Sequence, residues 1–220
     1  MNTMTEQLYK VLGDGGQPHI GGGVWYLPKG KRPGKWMPKV ANIIMCTSGY
    51  HLVDAAHIVD FLNYGYHIYE AEGRGACLQD TDKSCWDEAR LVRELRWGER
   101  EARLFACDCA ERALDRLAER GVAVDARSRS AVAVSRQYAE GVATVDELSA
   151  AWAAAWAAAG DAARAAAWAA AGDAAGAAAR AAARAAAGDA AGDAAWDAER
   201  QWQTERLLDY LYGRTNQEDE

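Results

Sequence analysis

The chain has 220 residues, half of them hydrophobic, which is enough to bury a core as one large domain or two small ones. Its formal net charge of −7 argues against binding of extended nucleic acid, and no stretch resembles a membrane span, because Asp and Arg interrupt the long alanine tract. The N-terminus has no apolar run behind a basic head, and the five cysteines, an odd number, favour reduced thiols, so we expect a cytoplasmic protein.

Residues 1–97 predict a small α+β module that recognises a ligand. The glycine-rich residues 13–23 predict a flexible loop. The apolar run 41–46 predicts a short buried strand, and the alternating residues 66–71 predict a half-buried strand. Between them, residues 53–62 have apolar side chains at helical spacing. The expected order is strand, short helix, strand.

Residues 98–143 predict a connector of two helices. The first spans 99–119 and ends before Gly121, and the second spans about 126–139 with Asp125 as its cap. The first helix places four side chains on one buried face: Leu104, Cys107, Leu114 and Leu117.

Residues 144–213 predict an alanine-rich scaffold of long helix that begins at a capping box of Thr144 and Glu147. From Trp152 onward, every fourth residue is something other than alanine, which places a ridge along the helix surface. Because alanine buries little area, such a helix needs a partner, and we expect a homo-oligomer through residues 145–212.

The charges of the chain are unevenly spread. Residues 214–220 predict an acidic, disordered tail. Residues 25–40 contain five cations and no acid. Ammonium and guanidinium groups bind phosphate and aromatic rings stack on bases, so this basic loop predicts a site for a small anionic, nucleotide-like ligand. Its predicted ligand-binding residues are Trp25, Lys29, Lys31, Arg32, Lys35 and Trp36. The alternative is a solvated loop whose tryptophans anchor it to the core.

Residues 46–83 contain a Cys-x-x-Gly-aromatic-His motif, a strand ending in Glu-x-x-Gly, and an Asp-Lys pair. The matching residues are Cys46, Gly49, Tyr50, His51, Tyr69, Glu72, Gly75, Asp82 and Lys83. With the alanine-rich tail, they resemble a family of bacteriophage proteins. Residues 125–148 resemble the helical domain of immunity proteins in bacterial toxin systems. These resemblances cover about residues 46–212 and imply a phage or mobile-element origin, but no chemistry.

His51, Tyr69 and Glu72 resemble the His-Tyr-Glu signature of ADP-ribosyl-transferring folds, in which His and Tyr hold NAD and Glu orients the ribose. The resemblance implies a transferase, or a module that binds an ADP-ribose-like ligand without turnover. The alternative is a structural His51 and a Glu72 that pairs with Arg74 or Arg90. No zinc-site spacing joins Cys46, His51, His57 and His67, so we expect no metal and no cofactor.

We therefore predict a binding protein, not an enzyme, that sequesters an anionic, nucleotide-derived signal (ADP-ribose-like or a cyclic nucleotide) to counter host defence. Its predicted ligand contacts are the basic loop together with His51, Tyr69 and Glu72. One alternative is an immunity protein whose helices bind a toxin protein. The other is an ADP-ribosyl-transfer-like enzyme that uses Glu72.

Overall fold

A computed structural model describes residues 7–158 and 192–215, and the chain divides into two compact units. Among the described residues, those up to Trp97 together with Leu211–Gly213 form the first unit. The second unit contains the described residues between Gly98 and Tyr210, together with Arg214 and Thr215. A sheet in the N-terminal half and helices in the C-terminal half confirm the predicted α+β fold class.

The first unit is built on a four-stranded antiparallel sheet with the strand order β1-β3-β4-β2. The strands are β1 (Leu8–Leu12), β2 (Tyr50–Leu52), β3 (His67–Gln79) and β4 (Ser84–Glu94), and two 3₁₀ helices span Asp14–Gly16 and Ile58–Tyr64. One face of the sheet packs into a hydrophobic core that includes Leu12, Trp25, Leu52, Tyr69 and Leu91. This burial is the main force that holds the four strands together.

Residues 34–40, the second half of the basic loop, run along β4. Three of their amides donate hydrogen bonds to β4 carbonyl oxygens: Gly34 to Leu91 (2.8 Å), Met37 to Ala89 (2.8 Å) and Val40 to Asp87 (2.9 Å). Met37 is buried in the core. These contacts hold this half of the loop against the sheet.

The predicted buried strand at residues 41–46 is wrong. Ile44 is 54% exposed, and its amide and carbonyl pair with Ser48 (2.8 and 2.9 Å) in a local turn. Cys46 has a φ of 62°, a left-handed conformation that an extended strand does not contain. The apolar run has no strand partner because its backbone hydrogen bonds are made within the turn.

The other predicted elements of this module have mixed outcomes. The strand predicted at 66–71 is present from His67 and continues to the end of β3, but residues 68–71 are all buried, so the predicted half-buried alternation is wrong. The helix predicted at 53–62 is wrong at its start, because the amide of Val53 donates to the carbonyl oxygen of Tyr9 (3.0 Å) as an extended residue would. Only Ile58–Tyr64 is helical, and the helix is of the 3₁₀ type.

The second unit contains four helices in its described residues: α1 (Glu99–Glu119), α2 (Ala126–Ala139), α3 (Val145–Ala158) and most of α4 (Gly192–Tyr212). The predictions of α1 and α2 are confirmed, and all four α1 side chains assigned to the buried face are buried. Asp125 accepts a hydrogen bond from the Arg127 amide (2.9 Å), as predicted for a cap. The capping box is confirmed by Thr144 N to Glu147 Oε2 (2.7 Å) and Glu147 N to Thr144 Oγ1 (3.2 Å).

The described helices of the second unit enclose a charged cluster around Asp108. Its carboxylate accepts hydrogen bonds from Tyr210 (2.6 Å) and Arg206 (2.7 Å) and pairs with Arg136 (2.8 Å). Asp108 is buried, so these partners replace the water that the carboxylate loses on folding. Most of the predicted ridge of the alanine tract (residues 159–191) and of the predicted tail (216–220) lies outside the described residues.

The five cysteines are all free thiols with different degrees of burial. Cys46 is exposed, Cys77 is intermediate, and Cys85, Cys107 and Cys109 are buried. Burial raises the pKa of the Cys107 thiol to about 12, which agrees with its predicted place in the core. Within residues 7–158 and 192–215, no helix is long and apolar enough to cross a membrane.

Candidate functional site

The first unit contains a cavity of about 680 Å³, a size within the usual range for small-molecule sites. Strands β1 and β2 contribute Lys10 and His51 to its wall. The glycine-rich residues 18–23 and the aromatic rings of Trp25 and Tyr50 also line it. The cavity therefore combines an aromatic wall with two lysines, Lys10 and Lys83, and two carboxylates, Asp60 and Asp82.

Lys10 is the most unusual side chain of the cavity. Strand alternation places it on the same face as Leu8 and Leu12, which pack in or against the core. Its Nζ donates a hydrogen bond to the carbonyl oxygen of His51 (3.0 Å) and lies 5.2 Å from the centre of the Trp25 ring. Burial lowers the pKa of Lys10 from 10.5 to about 8.

No carboxylate of the described residues lies within 4.0 Å of the Lys10 ammonium. A buried lysine without a counter-ion destabilises the fold, so such a group is a candidate functional residue. The second lysine of the cavity, Lys83, differs in this respect. Its Nζ lies 2.7 Å from Asp82 Oδ1, and this hydrogen bond raises the pKa of Lys83.

The Cys-x-x-Gly-aromatic-His motif builds one side of the cavity. Gly49 has a φ of 118°, and a Cβ at this position would lie only 2.6 Å from the Cys85 sulfur, so only glycine fits. Tyr50 donates a hydrogen bond to the carbonyl oxygen of Pro38 (2.7 Å), and its ring meets the Trp25 ring edge-on with centroids 5.4 Å apart. The motif thus fixes an aromatic pair at the cavity wall.

His51 closes the turn that the motif forms. Its Nε2 accepts a hydrogen bond from the Cys46 amide (2.9 Å), so the neutral ring carries its proton on Nδ1. Burial, followed by the charges of Lys10 and Lys83, lowers the pKa of His51. The imidazole is therefore neutral at pH 7, and the lysines supply the positive charge of the cavity.

Of the nine predicted ligand-binding residues, Trp25 and His51 line the cavity. The cations of the basic loop, Lys29, Lys31, Arg32 and Lys35, are exposed and do not line it. Lys29 and Arg32 exchange two backbone hydrogen bonds (3.0 and 3.1 Å) that close a tight turn. The turn holds these cations on the surface.

The other three predicted residues lie elsewhere in the first unit. The Trp36 ring packs against two guanidinium groups, whose central carbons lie 4.0 Å (Arg74) and 4.7 Å (Arg90) from the ring centre. Glu72 accepts a hydrogen bond from Arg90 (2.7 Å), one of its two alternative partners. Tyr69 is 2% exposed and belongs to the core. His51, Tyr69 and Glu72 therefore do not form one site.

The histidines considered for a metal site have separate partners. His57 pairs with Asp54 (2.7 Å), and His67 lies between Glu94 (2.6 Å) and Asp14 (3.2 Å). Across residues 7–158 and 192–215, no three side chains of the metal-binding types are grouped around one point.

The second unit has a groove of about 580 Å³ lined by Arg112, Arg116, Arg206, Trp202 and several acidic side chains. Its cations are already paired within the unit: Arg112 and Arg116 with Glu199 (2.8 and 3.1 Å) and Arg206 with Asp108 (2.7 Å). We therefore place the candidate site in the first unit, where Lys10 has no carboxylate partner among residues 7–158 and 192–215.

Comparison of the chain with models of protein families, with curated proteins and with solved structures found no match. The chemistry of the cavity therefore rests on its own residues. Sequence reasoning missed the central one, Lys10. Its signal is a lysine between two leucines in the alternating segment LYKVL, where a core position is expected.

Proposed function

We propose that the first unit binds a small anionic ligand with a planar, nucleobase-like group. The observation that supports this most directly is Lys10, which lines the cavity beside the Trp25 ring without a carboxylate partner among the described residues. An anionic group next to Lys10 would supply the missing counter-charge. Binding would thereby recover part of the free energy that burial of the ammonium costs.

The rest of the cavity suits the other parts of such a ligand. The Trp25 and Tyr50 rings provide aromatic surface, and each stacked base is worth about 1–3 kcal/mol. Lys83 also lines the cavity, but its ammonium is already paired with Asp82 (2.7 Å), so Lys10 is the cation that the ligand's phosphate would meet. Nucleotides combine an aromatic base with phosphate, so they are the ligand class that this arrangement fits.

The proposed activity is capture without turnover. The three residues of the transferase-like signature lie apart, with Glu72 bonded to Arg90 and Tyr69 in the core. In the cytoplasm of a bacterial host, a phage-encoded protein of this kind would sequester a nucleotide-derived signal and so counter host defence. Self-association through residues 145–212 remains part of the proposal.

Calorimetric titration with adenosine 5′-monophosphate, ADP, ADP-ribose and cyclic AMP tests the proposal. Lys10→Met should weaken binding of the preferred ligand about ten- to a hundredfold, as expected for loss of a charged hydrogen bond worth about 1.5–3 kcal/mol. Binding should also weaken as salt is added. The control variant replaces Lys31, Arg32 and Lys35 together by Ala and should bind nearly normally.

Two results would redirect the proposal. If the triple variant loses binding and Lys10→Met keeps it, the ligand binds at the basic loop. If none of the four nucleotides binds, the cavity is not a nucleotide site, and a toxin protein bound by the helices becomes the function to test.

A further inference from the structure

We infer that the cavity of the first unit selects nucleotides with a single negative charge, as in cyclic nucleoside monophosphates, over nucleotides with two or more negative charges. The inference rests on the proposed function, because it specifies which members of the nucleotide class the cavity accepts. It follows from the charges that line the cavity and from the ion pairs that those charges already make.

Four charged side chains line the cavity: two ammonium groups, Lys10 and Lys83, and two carboxylates, Asp60 and Asp82. With histidines counted as neutral, their formal charges cancel. A polyphosphate brings at least one negative charge for each phosphate, so a site that binds it tightly needs several cations. This lining has no net positive charge to offer a polyanion.

Lys10 supplies the one positive charge that no carboxylate balances in the lining as described. Within residues 7–158 and 192–215, no carboxylate lies within 4.0 Å of its ammonium group. Its hydrogen bond goes to a neutral acceptor, the carbonyl oxygen of His51 (3.0 Å). An ammonium group has three N–H donors, so Lys10 can keep this bond and still donate to a phosphate oxygen. One phosphate with one negative charge balances it.

Lys83 does not add a second such charge. Its Nζ lies 2.7 Å from Asp82 Oδ1 and 3.5 Å from Asp80 Oδ2, so the three side chains form a triad with one negative charge in excess. The Thr81 amide donates a hydrogen bond to Asp80 (2.8 Å), which lowers the pKa of that carboxyl group and keeps it ionised. A second phosphate near this triad is repelled.

The triad and Lys10 act on the same part of the cavity. His51 lines the cavity, and its pKa is lowered first by burial and then by the charges of Lys10 and Lys83. A phosphate bound at Lys10 therefore lies in the field of the triad as well. The phosphodiester of a cyclic nucleotide carries one negative charge, whereas a phosphate monoester carries about −1.5 to −2 near pH 7, and ADP and ADP-ribose carry two or more.

Calorimetric titration of the full-length protein at pH 7 with adenosine, cyclic AMP, ADP and ADP-ribose tests the inference. Cyclic AMP should bind at least about tenfold more tightly than ADP or ADP-ribose, which the triad repels. It should also bind at least about tenfold more tightly than adenosine, which has no charge for Lys10. The inference is overturned if ADP, ADP-ribose or adenosine binds as tightly as cyclic AMP. If none of the four binds, the proposed function itself has failed.

Asp82→Asn should weaken the discrimination, because it removes the excess negative charge of the triad while Asp80 still pairs with Lys83. We expect ADP to bind at least about fivefold more tightly and cyclic AMP to change by less than about twofold. Glu72→Gln is the matched control: it removes the same charge, but Glu72 pairs with Arg90 and does not line the cavity. An equal shift of the ADP to cyclic AMP ratio in both variants overturns the inference. The ligand series decides it even if Asp82→Asn does not fold.

Discussion

The Tyr212 hydroxyl donates a hydrogen bond of 2.8 Å to Glu70 Oε1, although the two residues lie 142 positions apart in the chain. Arg93 binds both oxygens of the same carboxylate (2.6 and 2.7 Å) and lies 5.4 Å from the centre of the Tyr212 ring. Since Tyr212 uses its only proton on Glu70, the Tyr9 hydroxyl donates to Tyr212 (3.2 Å). A short C-terminal turn thereby becomes part of the sheet unit.

Tyr212→Phe should lower the free energy of unfolding of the first unit by about 1–2 kcal/mol, because it removes two hydrogen bonds while Arg93 still satisfies Glu70. Urea denaturation followed by tryptophan fluorescence measures the effect. Tyr66→Phe is the control, since Tyr66 is 60% exposed and its loss should change little. Equal effects of the two variants would mean that the Tyr212 hydroxyl contributes no stability.

His67 should make the first unit less stable as the pH rises above neutrality. The hydrogen bond to Glu94 (2.6 Å) is the main cause that raises the pKa of His67 above 6.5. A raised pKa in the folded state contributes stability that is fully present below pH 6.5 and is lost as the pH rises through the raised value. Because the pair is partly exposed, we expect a loss of about 0.5 kcal/mol.

Melting curves between pH 5.5 and pH 8.5 would measure this dependence. The wild-type protein and His67→Gln are compared at each pH, so that the titration of other groups cancels. The melting temperature of the wild-type protein should fall relative to that of His67→Gln as the pH rises. Added salt should reduce the difference between them. A wild-type protein that becomes more stable relative to His67→Gln as the pH rises would contradict the prediction.

Lys10→Met should stabilise the first unit at pH 7 while it weakens ligand binding. The fall in the Lys10 pKa from 10.5 to about 8 corresponds to a cost of up to about 3 kcal/mol for the buried ammonium. Since the folded-state pKa is lowered, that cost disappears as the pH rises from 8 toward 10.5, and the gain of the variant should disappear with it. Denaturation measures the free energy of unfolding of the variant and the wild-type protein at pH 7 and at pH 10. Lys83→Met is the control, and it should not stabilise the protein.

Gly49→Ala should destabilise the first unit more than Gly21→Ala. Both glycines have positive φ angles, 118° and 94°, so both variants incur backbone strain of about 1–2 kcal/mol. At Gly21 a new Cβ meets nothing within 4 Å, whereas at Gly49 it would lie 2.6 Å from the Cys85 sulfur and 3.1 Å from the Trp86 carbonyl oxygen. The difference in melting temperature between the two variants measures the cost of the steric clash at Gly49. Equal decreases in melting temperature would contradict the prediction.

The helices of the second unit could be predicted because their signals are local. Asp125, the Thr144 and Glu147 pair and the apolar spacing of α1 each act within a few residues, so the sequence contains the whole interaction. The strands depend on partners far along the chain. β2 has only three residues, which is too short for a recognisable pattern. In β4, charged side chains interrupt the apolar ones and pair with residues of the neighbouring strand, such as Glu88 with Arg74 (2.7 Å).

The candidate site shows the same difference. Trp25 and His51 were predicted from residue type and motif, and both line the cavity. The cations of the basic loop were expected to bind ligand because they are concentrated in the sequence, but a turn between Lys29 and Arg32 holds them at the surface. Lys10 was missed because an isolated lysine in a strand is usually solvated. Its burial becomes visible only in the structure, where Leu12 and Trp25 pack beside it.

The free thiols differ in burial, so their rates of reaction with a thiol reagent measure how readily each unit opens. Cys46 is exposed and should react with a thiol reagent at once, whereas Cys85 in the first unit and Cys107 and Cys109 in the second must wait for the backbone around them to open. The modification rates of these buried sulfurs therefore report the local opening free energies of the two units separately. A ligand of the cavity should slow labelling at Cys85 and leave Cys107 unchanged, with no label or mutation added to the protein beforehand.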